Sequence, residues 1–303
     1  KKILGPGFQE EQTIEEKVRI VNELKGRIKI NVLLKFCKLS KSTYYNVLKN
    51  GNKRKHKDDE IVELIRTIFN SHYKKYGSPR ITIELKNRGI LINEKRVARL
   101  MRLHHISAEP RKKKYSSYRG DVGTKAPNVI RRHFDTGEPY RVFGTDVTQF
   151  RIGEDKLYLS PIIDFHTREI VAYDISIHPN MLQIKRMMNL LEDKYGEYLK
   201  GSIIHSDQGW QYQQKWYQDF LEQHEMIQSM SRKGNCLDNS PTENFFGRLK
   251  EEVFYGQEWR YENINQLREA IHKWIKYYNE ERIVSILKDS PLKYKGKLLR
   301  SMI

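Results

Sequence analysis

Apolar residues near the start of the chain fall at Ile14, Val18, Ile20, Val21 and Leu24. That is the spacing of one helical face across 10–26, and Gly26 follows as a stop. A second short helix fits Ile30 to Phe36. After a turn at Lys38-Leu39-Ser40, Ser42 is a good N-cap for a helix through Thr43, Tyr44, Tyr45, Asn46, Val47 and Leu48, since its hydroxyl can accept an N–H left open at a helix start. Helix, short turn and helix with a polar N-terminus is the outline of a helix-turn-helix, in which Thr43 and Tyr44 would face DNA. A plain three-helix bundle is the alternative. Residues 50–57, Asn-Gly-Asn-Lys-Arg-Lys-His-Lys, read as a basic linker. Ile61, Leu64, Ile65 and Ile68 mark a further helix. Ser78-Pro79 opens the next, with proline at the first helical position. Asn93 is placed to cap a third, which runs to about His105. On it Arg96, Arg99 and Arg102 recur every three residues, apart from Val97, Leu100 and Met101. A basic stripe opposite an apolar one suits phosphate contact, and a solvated charged face suits it equally.

From 107 to 138 no period is visible. Arg111, Lys112, Lys113, Lys114, Arg119, Lys125, Arg131 and Arg132 face few acids there, which fits an extended connector along a nucleic-acid backbone or a disordered spacer. After Tyr140 the pattern changes. Arg141–Ile152, Lys156–Phe165 and Arg168–Ile177 read as three successive strands with turns at Gly153-Glu154 and His166-Thr167. A helix fits Met181–Tyr195, a short apolar run Ser202–His205, a helix Gln213–His224, a strand Met226–Met230, and helices about 241–254 and 264–279. A three-strand meander followed by alternating helices and strands predicts one α/β domain with a mixed sheet.

Composition narrows the partner. The chain has 303 residues and a net charge of +18, a balance that favours a polyanion. Nucleic acid and an anionic membrane are the usual candidates. No apolar run approaches the roughly 18 residues a membrane span needs, and the opening residues do not read as a signal peptide. Nucleic acid is therefore the expected partner. The two cysteines, Cys37 and Cys236, give no disulfide framework and fit a reducing compartment. The adjacent His104 and His105 do not suit a shared zinc. The first methionine is Met101, so a fragment, a processed product or the downstream part of a fusion is expected.

Three acids stand in unusual contexts. Asp146 lies in Gly-Thr-Asp-Val-Thr-Gln-Phe, read as mid-strand. Asp207 lies in His-Ser-Asp-Gln-Gly-Trp-Gln-Tyr, just past a strand end. Glu243 lies in Asp-Asn-Ser-Pro-Thr-Glu-Asn-Phe-Phe-Gly-Arg-Leu-Lys, near a helix start. Clustered carboxylates resist shared ionisation unless a cation joins them. Oxygen ligands favour Mg²⁺ or Mn²⁺. Two such ions about 3.5–4 Å apart can serve both oxygens of an in-line displacement at phosphorus. On the 241–254 helix, Phe245, Phe246, Leu249 and Val253 share one side. Glu243 and Lys250, seven apart, nearly align on another. Lys250 is thus placed to hold DNA phosphate; the plain reading is a surface lysine near Glu251 and Glu252.

These segments resemble the DDE transposase and retroviral-integrase core, with bacterial insertion-sequence transposases of the copy-out, paste-in type nearest. The likeness covers about residues 140–295, with 35 residues between Asp207 and Glu243. Residues 58–114 resemble the helical DNA-binding unit that precedes that core. The resemblance implies an RNase H-like α/β fold, a mixed sheet flanked by helices, preceded by all-α helix-turn-helix domains. It implies Asp146, Asp207 and Glu243 as catalytic residues and ligands of two Mg²⁺ ions, with Mn²⁺ as a substitute. It implies cleavage and strand transfer, Lys250 on the transposon end, and an upstream frame joined by frameshifting. It also implies double-stranded DNA partners (terminal inverted repeats and target), a homodimer or larger, a cytoplasmic setting, and neither membrane nor small-molecule cofactor. The domains expected are 1–57, 58–114, 115–138 as connector, 139–295 as core, and 296–303 as tail. One departure stands out: the family commonly has a histidine soon after Tyr-Asn-x-x-Arg, and here Tyr278-Asn279-Glu280-Glu281-Arg282 runs into Ile283-Val284-Ser285.

Other residues keep two readings. Asp164 and Asp174 suit turns or strand edges better than metal, and Asp238 suits a loop or cap. His205, which alternates with Asp207 along the strand direction, would tune that acid or, as the plainer reading, be a satisfied structural histidine. Trp210 would stack on an unpaired base or pack in the core. Gly209 and Gly247 would permit close approach, and Arg248 joins Lys250 as a DNA contact. The rival functions are a metal nuclease that only hydrolyses and a DNA-binding regulator without catalysis.

Overall fold

The computed structural model describes residues 13–108, 126–134, 136–232 and 236–301; Lys112, Lys113 and Lys114 lie outside them. Two compact units hold these residues. One takes in those up to Ile68 together with Lys95–Ile106, and the other takes in Phe69–Glu94 and those from Ser107 onward.

In the first unit, α1 (Ile14–Leu24) opens at a reciprocal cap. The Thr13 hydroxyl accepts the Glu16 N–H, and the Glu16 carboxylate accepts the Thr13 N–H. Helix α2 (Ile30–Phe36) has the range its apolar residues predict. Helix α3 (Lys41–Ser71) begins two residues earlier than expected. Ser40, not Ser42, accepts the Thr43 N–H at 3.0 Å. The basic run 50–57 is helical rather than a linker, because α3 passes straight through it. Val18, Val21, Leu33, Leu34, Cys37 and Tyr44 form the core of this bundle.

The second unit is built on a six-stranded mixed sheet. Strands β1 (Val142–Thr145) and β2 (Thr148–Ile152) both run antiparallel to β3 (Asp155–Asp164) in one register, with Thr145 facing Ile162 and Thr148 facing Leu159. The first expected strand is therefore broken at Asp146-Val147. Those two residues face Pro161 and Ser160 when the register is continued. Pro161 has no N–H to give to Asp146 opposite, and the Val147 N–H donates to Asp146 Oδ1 at 2.7 Å. Beyond β3 lies β4 (Ile170–Ser176). On the other side β1 pairs in parallel with β5 (Ile203–Ser206), and β5 with β6 (Ile227–Met230).

Helices cover both faces. One layer packs α6 (Met181–Tyr195) and α7 (Lys215–Gln223) through Ile184, Met187, Met188, Leu191, Tyr217, Phe220 and Leu221. The other packs α8 (Ser240–Leu249) and α9 (Ile264–Glu280) through Phe245, Phe246, Leu249, Leu267, Ile271 and Trp274. The predicted tail is instead a helix (Pro291–Ser301), held by Lys295 Nζ on Glu169 at 2.7 Å. Asn279 pairs with both backbone groups of Ile170, so it fastens α9 to the sheet. The stretch after Arg282 is occupied by Ile283, which is buried, and by Val284, which bridges to Asp289. Helix α4 (Ser78–Asn87), with Pro79 in its first turn as predicted, also belongs to this unit, and α5 (Glu94–Leu103) follows it in the chain.

Candidate active site

Parallel pairing brings the first two acids together. Val142 faces Ile203, Phe143 faces Ile204 and Gly144 faces His205. Two more steps along the same register set Asp146 beside Asp207, at the carboxyl ends of adjacent strands about 4.8 Å apart. That is where open α/β sheets place their ligands. Backbone N–H groups hold one oxygen of each: Val147 donates to Asp146, and Gly209 donates to Asp207 Oδ1 at 2.9 Å.

Glu243 arrives from the helix layer. Helix α8 begins at Ser240 with Pro241 in its first turn, and Thr242 presses on β1 where Gly144 has no side chain. A β-carbon at Gly144 would stand 2.1 Å from Phe165 Cε1 and 2.8 Å from Thr242 Oγ1. Gly144→Ala should therefore destabilise the protein by about 1–3 kcal/mol through overpacking and push the Glu243 end of α8 away. A melting temperature equal to wild type would refute this.

Electrostatics record the crowding. Burial pushes the Asp146 carboxyl well above the ordinary carboxylate range, and the charges of Asp207 and Glu243 add to the rise. Burial likewise raises Asp207, and raises Glu243 to about 7. Lys250 is 8% exposed rather than on the surface. Burial lowers its amine to about 8, against the pull of Asp146, and its Nζ lies 5.3 Å from the Phe150 ring centre. Among the described residues, no three His, Cys, Asp or Glu side chains are drawn tightly enough together to hold a metal ion. The acids are thus neighbours in charge rather than a closed cage. Their all-oxygen chemistry and resisted ionisation still fit a hard divalent cation.

Several expectations change. Tyr44 is buried in the first unit's core, its hydroxyl donating to Asn22, so it cannot face DNA; Thr43 is half-buried. Arg96 and Arg99 both bind Asp58, at 2.5 and 2.8 Å, whereas Arg102 is exposed. Trp210 is half exposed and not in the core. Arg248 is half-buried, 3.7 Å from Glu251. The bland readings hold elsewhere. Asp164 accepts the Tyr140 and Thr167 N–H groups. Asp174 binds Arg186. His205 sits buried between the Ser229 and Ser231 hydroxyls, and burial lowers its imidazole to about 4.

Sequence reasoning missed two clusters, each built on a buried acid. Asp238 joins Arg232, Arg132 and Asn128, which ties residues 128–132 to the loop before Glu243. Glu252 joins Arg282 and Trp274. Lone acids within a charged segment gave no signal for either.

Family comparisons agree with this architecture. The family model described as an integrase core domain matches residues 137–236, a second of the same description matches 243–299, and an HTH-like domain matches 56–114. The sheet and the matched core define an RNase H-like polynucleotidyl transferase. A protein of Escherichia coli K12, named "Putative transposase InsK for insertion sequence element IS150", is 40% identical over 281 residues, covering 92% of this chain and 98% of that protein. A transposase-like protein of Haemophilus influenzae is 47% identical over 213 residues, covering 69% of this chain and 96% of its own. The HTLV-2 integrase catalytic core, solved in complex with magnesium, aligns at a TM-score of 0.39 and 17% identity over 52% of this chain and 96% of its own. The chain belongs to the DDE-type insertion-sequence transposases.

Proposed function

We propose that this transposase cleaves the ends of its element and joins them to target DNA, with Asp146, Asp207 and Glu243 as the catalytic acids and metal ligands. The observation that carries the reading is the β1–β5 register, which sets Asp146 beside Asp207. Water attacks a phosphodiester at the element's end, its P–O3′ bond to the element breaks, and a 3′-OH is freed. That hydroxyl then attacks a target phosphodiester, whose own 3′ oxygen leaves. Both steps are in-line displacements, so one set of acids serves both. Two bound divalent ions, Mg²⁺ or Mn²⁺, would polarise the attacking and leaving oxygens.

The chain's own groups do the rest. The Val147 and Gly209 N–H groups orient the two aspartates. Lys250, sunk beside Asp146, offers a cation to the DNA phosphate. Trp210 and Arg248 lie on the same segments as Asp207 and Glu243, and Thr43 and Arg102 are candidate DNA contacts in the first unit. Joining two ends calls for at least two copies of the chain.

Product mapping tests the reading. Terminal-repeat DNA incubated with the chain and Mg²⁺ should yield joined target strands; cut ends that never join would support a hydrolase instead. Metal binding gives a second test. Glu243, raised by burial to about 7, still holds a proton in part at neutral pH, so ligation must release it. Mg²⁺ affinity should rise with pH across the Glu243 value of about 7, and calorimetry in two buffers should register proton release. An affinity flat from pH 6 to 8 would count against these ligands.

A further inference from the structure

Lys250 does not continue α8 as an ordinary helical residue. Residues Lys250–Phe254 form a π-turn, closed by the Tyr255 N–H on the Lys250 carbonyl at 2.6 Å. Such wide turns are uncommon and need outside support. That support is buried. The Glu252 carboxylate, 3% exposed, accepts the Trp274 Nε1–H at 3.0 Å and the Arg282 Nε–H at 3.0 Å, and its other oxygen accepts Arg282 Nη2–H at 2.6 Å. Arg282, 2% exposed, lies with its guanidinium carbon 6.0 Å from the Trp274 ring centre. The next residue is held from the far side, where the Ile283 N–H donates to the Tyr76 hydroxyl at 2.7 Å. Tyr76 stacks on His72 at 4.2 Å, and His72 Nδ1 lies 2.8 Å from the Tyr277 hydroxyl.

We propose that Glu252, Arg282 and Trp274 are positioning residues for Lys250, clamping the π-turn that carries the lysine to Asp146, and that Tyr76 braces the clamp. A planar, forked cation fits this task, because two parallel N–H bonds fix the carboxylate in orientation as well as distance. Lys250 and Glu252 lie two residues apart in the same turn, so a shift of one moves the other. The stretch 69–94 then serves the catalytic unit as a buttress. The proposal rests on the reading of Lys250 as a DNA contact, but its first test does not.

Hydrogen exchange on the full chain, without DNA or metal, should show amides 250–255 exchanging about tenfold faster or more in Arg282→Gln, the size of effect that outer supporting groups have on a site. The amides of β1 and β5 should speed up by a smaller factor. Should Arg282→Gln fail to fold, Trp274→Phe removes one donor to Glu252, keeps a ring and is read the same way. Strand transfer then completes a double-mutant cycle. Arg282→Gln should slow joining roughly tenfold in the native background and less than about twofold in Lys250→Gln. Exchange that is unchanged, or raised by the same factor across the whole unit, overturns the proposal, as does a loss that multiplies in Lys250→Gln. A Lys250→Gln protein with wild-type joining, alongside selectively faster exchange, would uphold the clamp and remove the DNA role of Lys250.

Discussion

Replacing Asp146 by asparagine is expected to slow strand transfer by about a thousandfold or more, the scale of losing a member of a cooperating catalytic set, while leaving the fold at least as stable as before. The reason lies in the same carboxyl. Its pKa is raised in the folded protein by burial and by Asp207. The native state therefore holds the proton more tightly than the unfolded chain does. Stability falls as pH climbs through the window between the ordinary carboxylate value and the raised one. An amide of the same shape has no such penalty at pH 7, yet it cannot carry the negative charge a divalent ion requires. Asp207→Asn and Glu243→Gln should behave alike, since both carboxyls are raised by burial. Gel assays of joined product and thermal melts of the metal-free protein measure the two halves. Wild-type joining by all three variants would end the catalytic assignment.

Glu252→Ala carries the largest expected stability change. Truncation leaves Arg282 buried with its charge unpaired, a situation that costs about 3–5 kcal/mol. Burial by itself would raise the Glu252 carboxyl, but the Arg282 charge and hydrogen bonds override it and hold the group below its ordinary value. The pair's contribution is therefore complete above the ordinary glutamate pKa and is lost as pH falls through the depressed one. Denaturant titration at neutral pH should show the loss, and the gap between wild type and Glu252→Ala should shrink in acid. Replacing both partners at once, by Glu252→Gln with Arg282→Met, should recover much of the stability, because no charge is left stranded. A Glu252→Ala protein within about 1 kcal/mol of wild type would mean that the pair holds nothing.

Much of the helical layout was legible because amphipathic spacing is a local property. Ile30–Phe36 and Met181–Tyr195 have the ranges their apolar periods predict, and Pro79 marks a helix start. The strand ends were also readable, except where a cross-strand partner intervened. The break at Asp146 depends on Pro161 lying opposite, and a single strand's pattern does not contain its neighbour. Tyr44 misled for a related reason. A polar-tipped aromatic at a helix start suits DNA and core equally, and only packing against α1, with Asn22 in reach of its hydroxyl, decided for the core. The basic run at 50–57 looked like a linker on composition, yet it lies within α3.

By itself, then, the order of residues determined the helical periods, the α/β character of the second half, the excess of positive charge and the identity of the three acids in their motifs. Tertiary structure alone decided which groups meet. It laid Asp146 alongside Asp207 by strand register, let α8 approach β1 over the bare Gly144, sank Lys250 out of solvent, and joined Glu252 to Arg282. Periodicity and capping act over a few residues, whereas pairing across a sheet and burial of an ion pair depend on segments that become neighbours only once the chain has folded.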